Sequence, residues 1–437
     1  MSLSFVHLSD IHFGQEKTDG VRKTHDDAKA CLIADAKRQT KAMDITGIIV
    51  TGDVAYAGKP EEFQQAGVWL DDLASAVRCS KTEVQVVPGN HDIDRDHISD
   101  GTMLMIYKIL VEGEDKLDGF LQNEDDCKAL YRKLSAYWSF AEGYNCFLDK
   151  AGGIASNKIF TLAPGRTLRF VGLNSALLCY AKEKEGHLVL GARQRVLSNN
   201  EGEELVVLCH HPLNWFQDSK TARNYIRNRA RVLMTGHEHE PSMSIDNVKE
   251  GRDIMYLASG AAVPPEASEK YRYTYNILTF DWDEHDDALT VTIHPRTWSE
   301  GDVDFVDDTQ LLGGNGPTFK LGSPNYRAAS ENERLGPAEV GSIPREADEA
   351  TAPDDIVIVE ESTVPERFAL VLLRFFRDLT PAKRLEIFVR LEALPPNWTG
   401  GMNQAMERMI VDKLVRDGRI AQLEDEIGRS TGRAVDN

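Results

Sequence analysis

Five short apolar runs in this chain each end on side chains able to bind a metal, and that repetition constrains the fold more than any other feature. Ser9-Asp10-Ile11-His12 follows Phe5 to Leu8, Gly52-Asp53 follows Ile45 to Thr51, and Gly89-Asn90-His91-Asp92 follows Glu83 to Val87. His210-His211-Pro212 follows Glu204 to Cys209, and Gly236-His237-Glu238-His239 follows Val232 to Thr235. Between the runs lie segments of helical periodicity, Asp26 to Met43 and Glu61 to Val77 among them. Such alternation predicts α/β layering. In α/β sheets, ligands collect beyond the carboxyl ends of the strands, so five separate loops are expected to converge on one rim. Read as extended segments, Asp-x-His and His-x-His send alternate residues to the same side. Residues 103–147 read as a helical insertion, and Tyr271 to Asp281 and Leu289 to Arg296 read as antiparallel strands. The expected architecture is two central sheets flanked by helices.

A chain of 437 residues exceeds what one core needs, which predicts more than one domain. From Gly313 to Glu349 the composition turns to Gly, Pro, Ser and Asn, and from Glu346 to Glu361 it turns acidic, the signature of a linker. Phe368, Leu372, Phe375 and Leu379 then recur at helical spacing, and Thr380-Pro381 reads as the cap and first turn of a further helix. The expected division is a large α/β domain over residues 1–312, a flexible acidic linker over 313–362 and a small all-α domain over 363–437. No apolar run approaches the roughly 18 residues that span a bilayer, and the start of the chain does not read as a signal peptide, so a cytoplasmic location is expected. Six scattered cysteines without a C-x-x-C pair exclude a zinc ribbon. A formal charge of -20 disfavours non-specific binding of nucleic acid.

The side chains at the five loops mix carboxylate, imidazole and amide oxygen without thiolate, which suits manganese foremost, or iron or zinc, in five- or six-coordinate sites. One carboxylate shared by two divalent cations about 3.5 to 4 Å apart lowers their repulsion, and Asp53 is the candidate for that bridge. A water held between such cations is deprotonated near neutral pH and can attack phosphorus in line.

Taken in order, D-x-H, G-D, G-N-H-[DE], H and G-H-x-H, the five motifs resemble the calcineurin-like metallophosphoesterase superfamily, over about residues 3 to 300. The resemblance implies a four-layer sandwich of two mixed sheets flanked by helices. It assigns Asp10, His12 and His239 to one cation, Asn90, His210 and His237 to the other, and Asp53 to both. It makes His91 a catalytic residue that stabilises the transition state or protonates the leaving oxygen, with Asp92 orienting its imidazole. The opening Leu8 to Gly14 and the run Val207 to Leu213 look most like the phosphodiesterase branch, which implies hydrolysis of a nucleotide-type phosphodiester. His211 and Asn174 are candidate substrate contacts.

A nuclease of the same superfamily is the alternative, and the basic stretch Arg223 to Arg231 is the segment that would receive a nucleic acid backbone. A catalytically silent scaffold is the other. The C-terminal helices resemble the effector-associated domains of bacterial conflict systems, which implies a protein partner recruited through a tethered module.

Overall fold

Val, Ile and Leu crowd the early runs, and they form strands buried on both faces, as parallel strands covered by helices must be. The computed structural model describes residues 2–335 and 363–431, apart from positions 17, 150–151, 155, 248–250, 265–271, 396–397 and 399–401. Its strands are β1 (Leu3–Leu8), β2 (Gly47–Val50), β3 (Val84–Val86), β4 (Ser156–Ala163), β5 (Arg166–Gly172), β6 (Glu203–Leu208) and β7 (Ala230–Thr235). They continue as β8 (Ser242–Asp246), β9 (Ile254–Ala258), β10 (Thr274–Asp283), β11 (Ala288–Ser299), β12 (Asp304–Asp307) and β13 (Thr318–Leu321).

One sheet has the order β12-β11-β10-β1-β2-β3, with β13 also paired to β11; the other has the order β4-β5-β6-β7-β9-β8. Both are mixed: β1, β2 and β3 run parallel, as do β5, β6, β7 and β9, while the remaining pairings are antiparallel. The two sheets face each other across a core that includes Phe5, Ile49, Phe170, Val206, Met234, Leu257 and Phe280. Phe5 sits at its centre, with ring centroids 5.2, 4.9 and 6.0 Å from Phe160, Phe170 and Phe280. Alternation then points Val6, Leu8, Ile48 and Val50 outward, where helices cover them.

Those helices are α1 (Asp19–Gln39) and α2 (Pro60–Val77). Thr18 caps α1 by accepting from the Val21 N–H, and Pro60 occupies the first turn of α2. The helical insertion comprises α3 (Asp100–Glu112), α4 (Glu114–Gln122), α5 (Glu124–Tyr131) and α6 (Ser135–Gly143). α7 (Ala192–Arg195) and α8 (Ser219–Arg229) follow, and Ala222 and Ile226 of α8 pack in the same core as Leu205, Val207 and Leu233. Two sheets between helices are the architecture read from the sequence.

The boundary of the expected linker is corrected. Residues 318–321 form β13, with Leu321 opposite Leu289, and α9 (Pro324–Leu335) buries Tyr326 against the inter-sheet core. The Tyr326 hydroxyl donates to the Thr167 carbonyl at 2.9 Å, and the Asn325 N–H donates to Glu204 Oε1 at 2.9 Å. The glycine that suggested flexibility serves a close approach instead, since Gly322 lies against the Gly251 backbone where a side chain would not fit. The remainder of that stretch, residues 336–362, lies outside the described residues.

The C-terminal domain folds as α10 (Thr363–Leu372), a wide turn over Leu373–Arg377, α11 (Pro381–Arg390), α12 (Gln404–Arg416) and α13 (Ile420–Thr431). Thr380 caps α11 as expected, accepting from the Lys383 N–H. Phe375, Phe376, Ile387, Phe388, Val411, Leu414, Leu423 and Ile427 form its own core. This domain is docked rather than tethered at a distance. Leu373 enters the large core of the catalytic domain, and the buried Arg377 guanidinium grips both carboxylate oxygens of Asp71 on α2, at 2.7 and 3.0 Å. Arg377 also donates to the Tyr144 hydroxyl at 2.9 Å, and Arg408 of α12 pairs with Glu142 at 2.5 Å. Among the described residues, no helix is long and apolar enough to cross a membrane.

Candidate metal centre

The chain turns sharply as it leaves β1, β2 and β7, and the turns fall on the residues that matter. Asp10, His12, Asp53, His237 and His239 have φ of 53°, 52°, 53°, 72° and 57°, the left-handed region. Asp and His are among the few non-glycine residues that tolerate this conformation. The paired side chains of Asp-x-His and His-x-His therefore come together through two left-handed kinks, not through the extended alternation expected from the sequence. Gly52 is required by proximity: its φ is +93°, and a Cβ there would lie 2.5 Å from His210 Nδ1.

The turns bring Asp10, His12, Asp53, Asn90, His91, His210, His237 and His239 into one pocket. Asp53 Oδ2 lies 3.4 Å from His12 Nε2 and 3.2 Å from His210 Nε2, while Asp10 Oδ1 lies 3.2 Å from His239 Nε2. Asn90 Oδ1 lies 3.1 Å from His210 Nε2 and 3.0 Å from His237 Nδ1. Potential ligand atoms of Asp10, His12 and His239 lie within 4.8 Å of one another, as do those of Asp10, Asp53 and His210. Backbone carbonyls orient the rings: His12 Nδ1 is 3.3 Å from the Val263 oxygen and His210 Nδ1 is 2.8 Å from the Thr51 oxygen. Because a carbonyl only accepts, each Nδ1 carries the proton and each Nε2 turns its lone pair inward. His12 Nε2 and Asp10 Oδ1 are buried without a well-aligned hydrogen bond, their nearest polar neighbours being Asp53 Oδ2 at 3.4 Å and His239 Nε2 at 3.2 Å. Orphaned inward acceptors in a set of imidazole, carboxylate and amide oxygen fit divalent cations.

The charges of the pocket agree with that fit. Burial pushes Asp10 upward, but the hydrogen bond and charge of His239 outweigh it and hold this carboxyl at about 2. Burial likewise opposes ionisation of Asp53, and His210 and His12 overcome it, leaving Asp53 well below the usual range. Burial pushes His210 down, yet the Asp53 charge prevails and raises it to about 9, so without a cation this ring carries balancing positive charge itself, and a bound cation would take the place of its Nε2 proton. Asp10 and Asp53 thus stay anionic while fully buried, which requires a compensating positive charge.

His91 stands beside this pocket. Its N–H donates to Asp53 Oδ1 at 2.8 Å, its Nδ1 lies 2.8 Å from the Tyr56 carbonyl, and its ring stacks on Tyr56 with centroids 5.1 Å apart. The expected role of Asp92 is therefore corrected. Its carboxylate accepts from the Ala55 and Gly89 N–H groups, at 2.8 and 2.9 Å, and so ties two loops together, while the Tyr56 carbonyl orients His91. Adjacent residues diverge in such a turn, and their closeness in sequence misled.

His211 and Asn174, expected to touch substrate, are buried. His211 Nδ1 lies 2.8 Å from Ser175 Oγ, and its ring packs on Trp215 and His237. Asn174 Oδ1 accepts from the Ala176 N–H, and its backbone bonds Gln194, so it is a turn residue. Within the basic stretch, Arg231 is buried 3.2 Å from Glu204 and Arg223 lies over the Tyr256 ring, so these two arginines are committed within the fold. Sequence reasoning missed Tyr56, Thr51 and Val263, which act through carbonyls that every residue carries. It also missed Trp215, whose ring centroid is 4.1 Å from that of His237.

Comparison with known proteins follows the same division. A family model described as calcineurin-like phosphoesterase matches residues 3–241, and one described as GTPase-associated adaptor domain matches residues 367–429. The metallophosphoesterase-like protein YydB of Bacillus subtilis is 25% identical over 279 residues, covering 61% of this chain and 55% of that protein. The chain thus spans about half the length of this relative. Among solved structures, purple acid phosphatase PPD1 of yellow lupin is 13% identical, with coverage of 80% of this chain and 57% of that one and a TM-score of 0.39. The NAD nucleotidase of Haemophilus influenzae is 11% identical, with coverage of 77% and 56% and a TM-score of 0.34.

Proposed function

This chain belongs to the calcineurin-like phosphoesterase family, and on that premise we propose that it hydrolyses a nucleotide-type phosphodiester at a centre taking two divalent cations, manganese foremost. Asp10, His12 and His239 would hold one cation, Asn90, His210 and His237 the other, and Asp53 both. The observation that carries this reading is the position of Asp53, whose Oδ2 lies within 3.4 Å of one imidazole from each set.

When bound, the cations neutralise phosphoryl oxygens and let water serve as the nucleophile near neutral pH. The chain's own residues do the rest. Asp10 and Asp53 supply the buried negative charge that selects cations. His91 donates its Nδ1–H to the Tyr56 carbonyl as a hydrogen bond, which leaves Nε2 as the nitrogen that passes a proton to the leaving oxygen. Burial foremost lowers the His91 pKa, which favours the neutral ring and makes an imidazolium formed there a readier proton donor. The docked C-terminal domain is the adaptor in this reading and presents a protein partner to the enzyme.

The test is hydrolysis of bis(p-nitrophenyl) phosphate with manganese, with chelator, and in Asp53→Ala, alongside the metal content of each protein. Manganese-dependent turnover that disappears with chelator and in the variant is expected. Chelator-resistant turnover, or an active Asp53→Ala protein, would defeat the proposal.

A further inference from the structure

Beside the centre, Arg95 forms no ion pair among the described residues. Arg95 begins the short turn Arg95–His97 that follows Asn90 and His91. Aspartates flank it on both sides, but Lys59 takes them both, at 2.7 Å from Asp94 and 2.6 Å from Asp96. Among the described residues, no carboxylate forms an ion pair with Arg95. Its Nη2 reaches the Asn90 carbonyl only at 3.4 Å, and its Nε is buried with no hydrogen-bond partner.

A guanidinium offers five N–H donors in a planar fork that matches the oxygens of a phosphate. Leaving a buried donor such as Arg95 Nε unfilled costs free energy that an anionic ligand recovers. Catalytic sites are where unsatisfied charge of this kind collects. The two carboxylates that flank Arg95 in the chain are both held by Lys59.

Resting on the phosphoesterase reading above, we propose that Arg95 binds a phosphate oxygen of the substrate on the Asn90–His91 side of the centre. That oxygen belongs either to the phosphoryl group under attack or to a second phosphate carried by the leaving group. Arg95 makes the site selective for phosphate anions rather than merely for metals.

The experiment is calorimetric titration of manganese-loaded full-length protein with inorganic phosphate and with adenosine 3′,5′-bisphosphate, in wild type, Arg95→Ala and Arg95→Lys. Phosphate affinity is expected to fall by on the order of ten- to a hundredfold in Arg95→Ala and to recover in part in Arg95→Lys, with manganese content unchanged. A loss confined to the bisphosphate would support the pendant phosphate as the occupant. Affinities for both ligands within twofold of wild type in Arg95→Ala, loss of manganese from Arg95→Lys, or a wild-type protein that binds neither ligand would overturn the proposal. Failure of wild type to hydrolyse chromogenic esters would refute the enzymatic reading alone, and the titration would still decide Arg95.

Discussion

A left-handed φ at Asp10, His12, Asp53, His237 and His239 costs each of them on the order of 1 kcal/mol or more, and the surrounding backbone imposes it. The Asp10 N–H donates to the Gly52 carbonyl at 3.1 Å, the His12 N–H to the Asp53 carbonyl at 3.0 Å, and the His237 N–H to Asp10 Oδ2 at 3.1 Å. Asparagine tolerates this conformation and valine does not, so two substitutions at position 53 separate charge from strain. Asp53→Asn is expected to lose manganese affinity at least tenfold while melting near wild type, whereas Asp53→Val should melt lower as well; equal melting of the two would refute the strain argument. His91→Ala is expected to keep its manganese, measured by elemental analysis, and to turn over about a hundredfold more slowly or worse. The gathering of eight side chains was legible because ligand chemistry shows in residue identity and in position after apolar runs. The left-handed kinks and the carbonyl partners were not, since neither leaves a mark on residue type, and the pairing of Asp92 with His91 failed for the same reason.

The element between α5 and α6 carries a different kind of information. In the turn Arg132–Leu134, the Lys133 ammonium is fully buried and donates to the Cys179 carbonyl, joining the helical insertion to the loop that follows Asn174. Burial, the largest influence, lowers its pKa from 10.5 to about 8. Between those values the folded chain binds fewer protons than the unfolded one, so stability should rise with pH from about 8 to 10.5 and fall as pH drops back. Comparing wild type with Lys133→Met by denaturant unfolding at pH 7 and pH 10.5 isolates this contribution. The difference between the two proteins should change by on the order of 3 kcal/mol in favour of lysine at the higher pH; a constant difference would show that the ammonium is not desolvated. At this scale periodicity identified the parallel strands and the helical insertion well. It missed β13 and α9 because four-residue strands carry little pattern and because glycine at a close approach looks, in composition, like glycine in a linker.

At the scale of the whole molecule, the decisive contact is one side chain. Arg377 is 7% exposed, bound through both nitrogens of its fork to Asp71, and seated between Gly67 and Gly143 of the catalytic domain. A Cβ on Gly143 would come within 2.8 Å of Arg377 Cβ, so the catalytic domain has left room for this residue. Arg377→Ala leaves the Asp71 carboxylate only Lys81, at 3.6 Å, and should cost on the order of 2 kcal/mol, read by calorimetry, with loss of amide-exchange protection in α2, α6 and α10. Unchanged protection in those helices would show that the domains cohere without it. Such docking was invisible in the sequence, where Arg377 is one arginine among many on amphipathic helices. Its consequence is directional: on the proposed adaptor reading, a partner that gripped the outer helices would meet the rest of the molecule along a single heading, so the choice of partner would also be a choice of what comes within range.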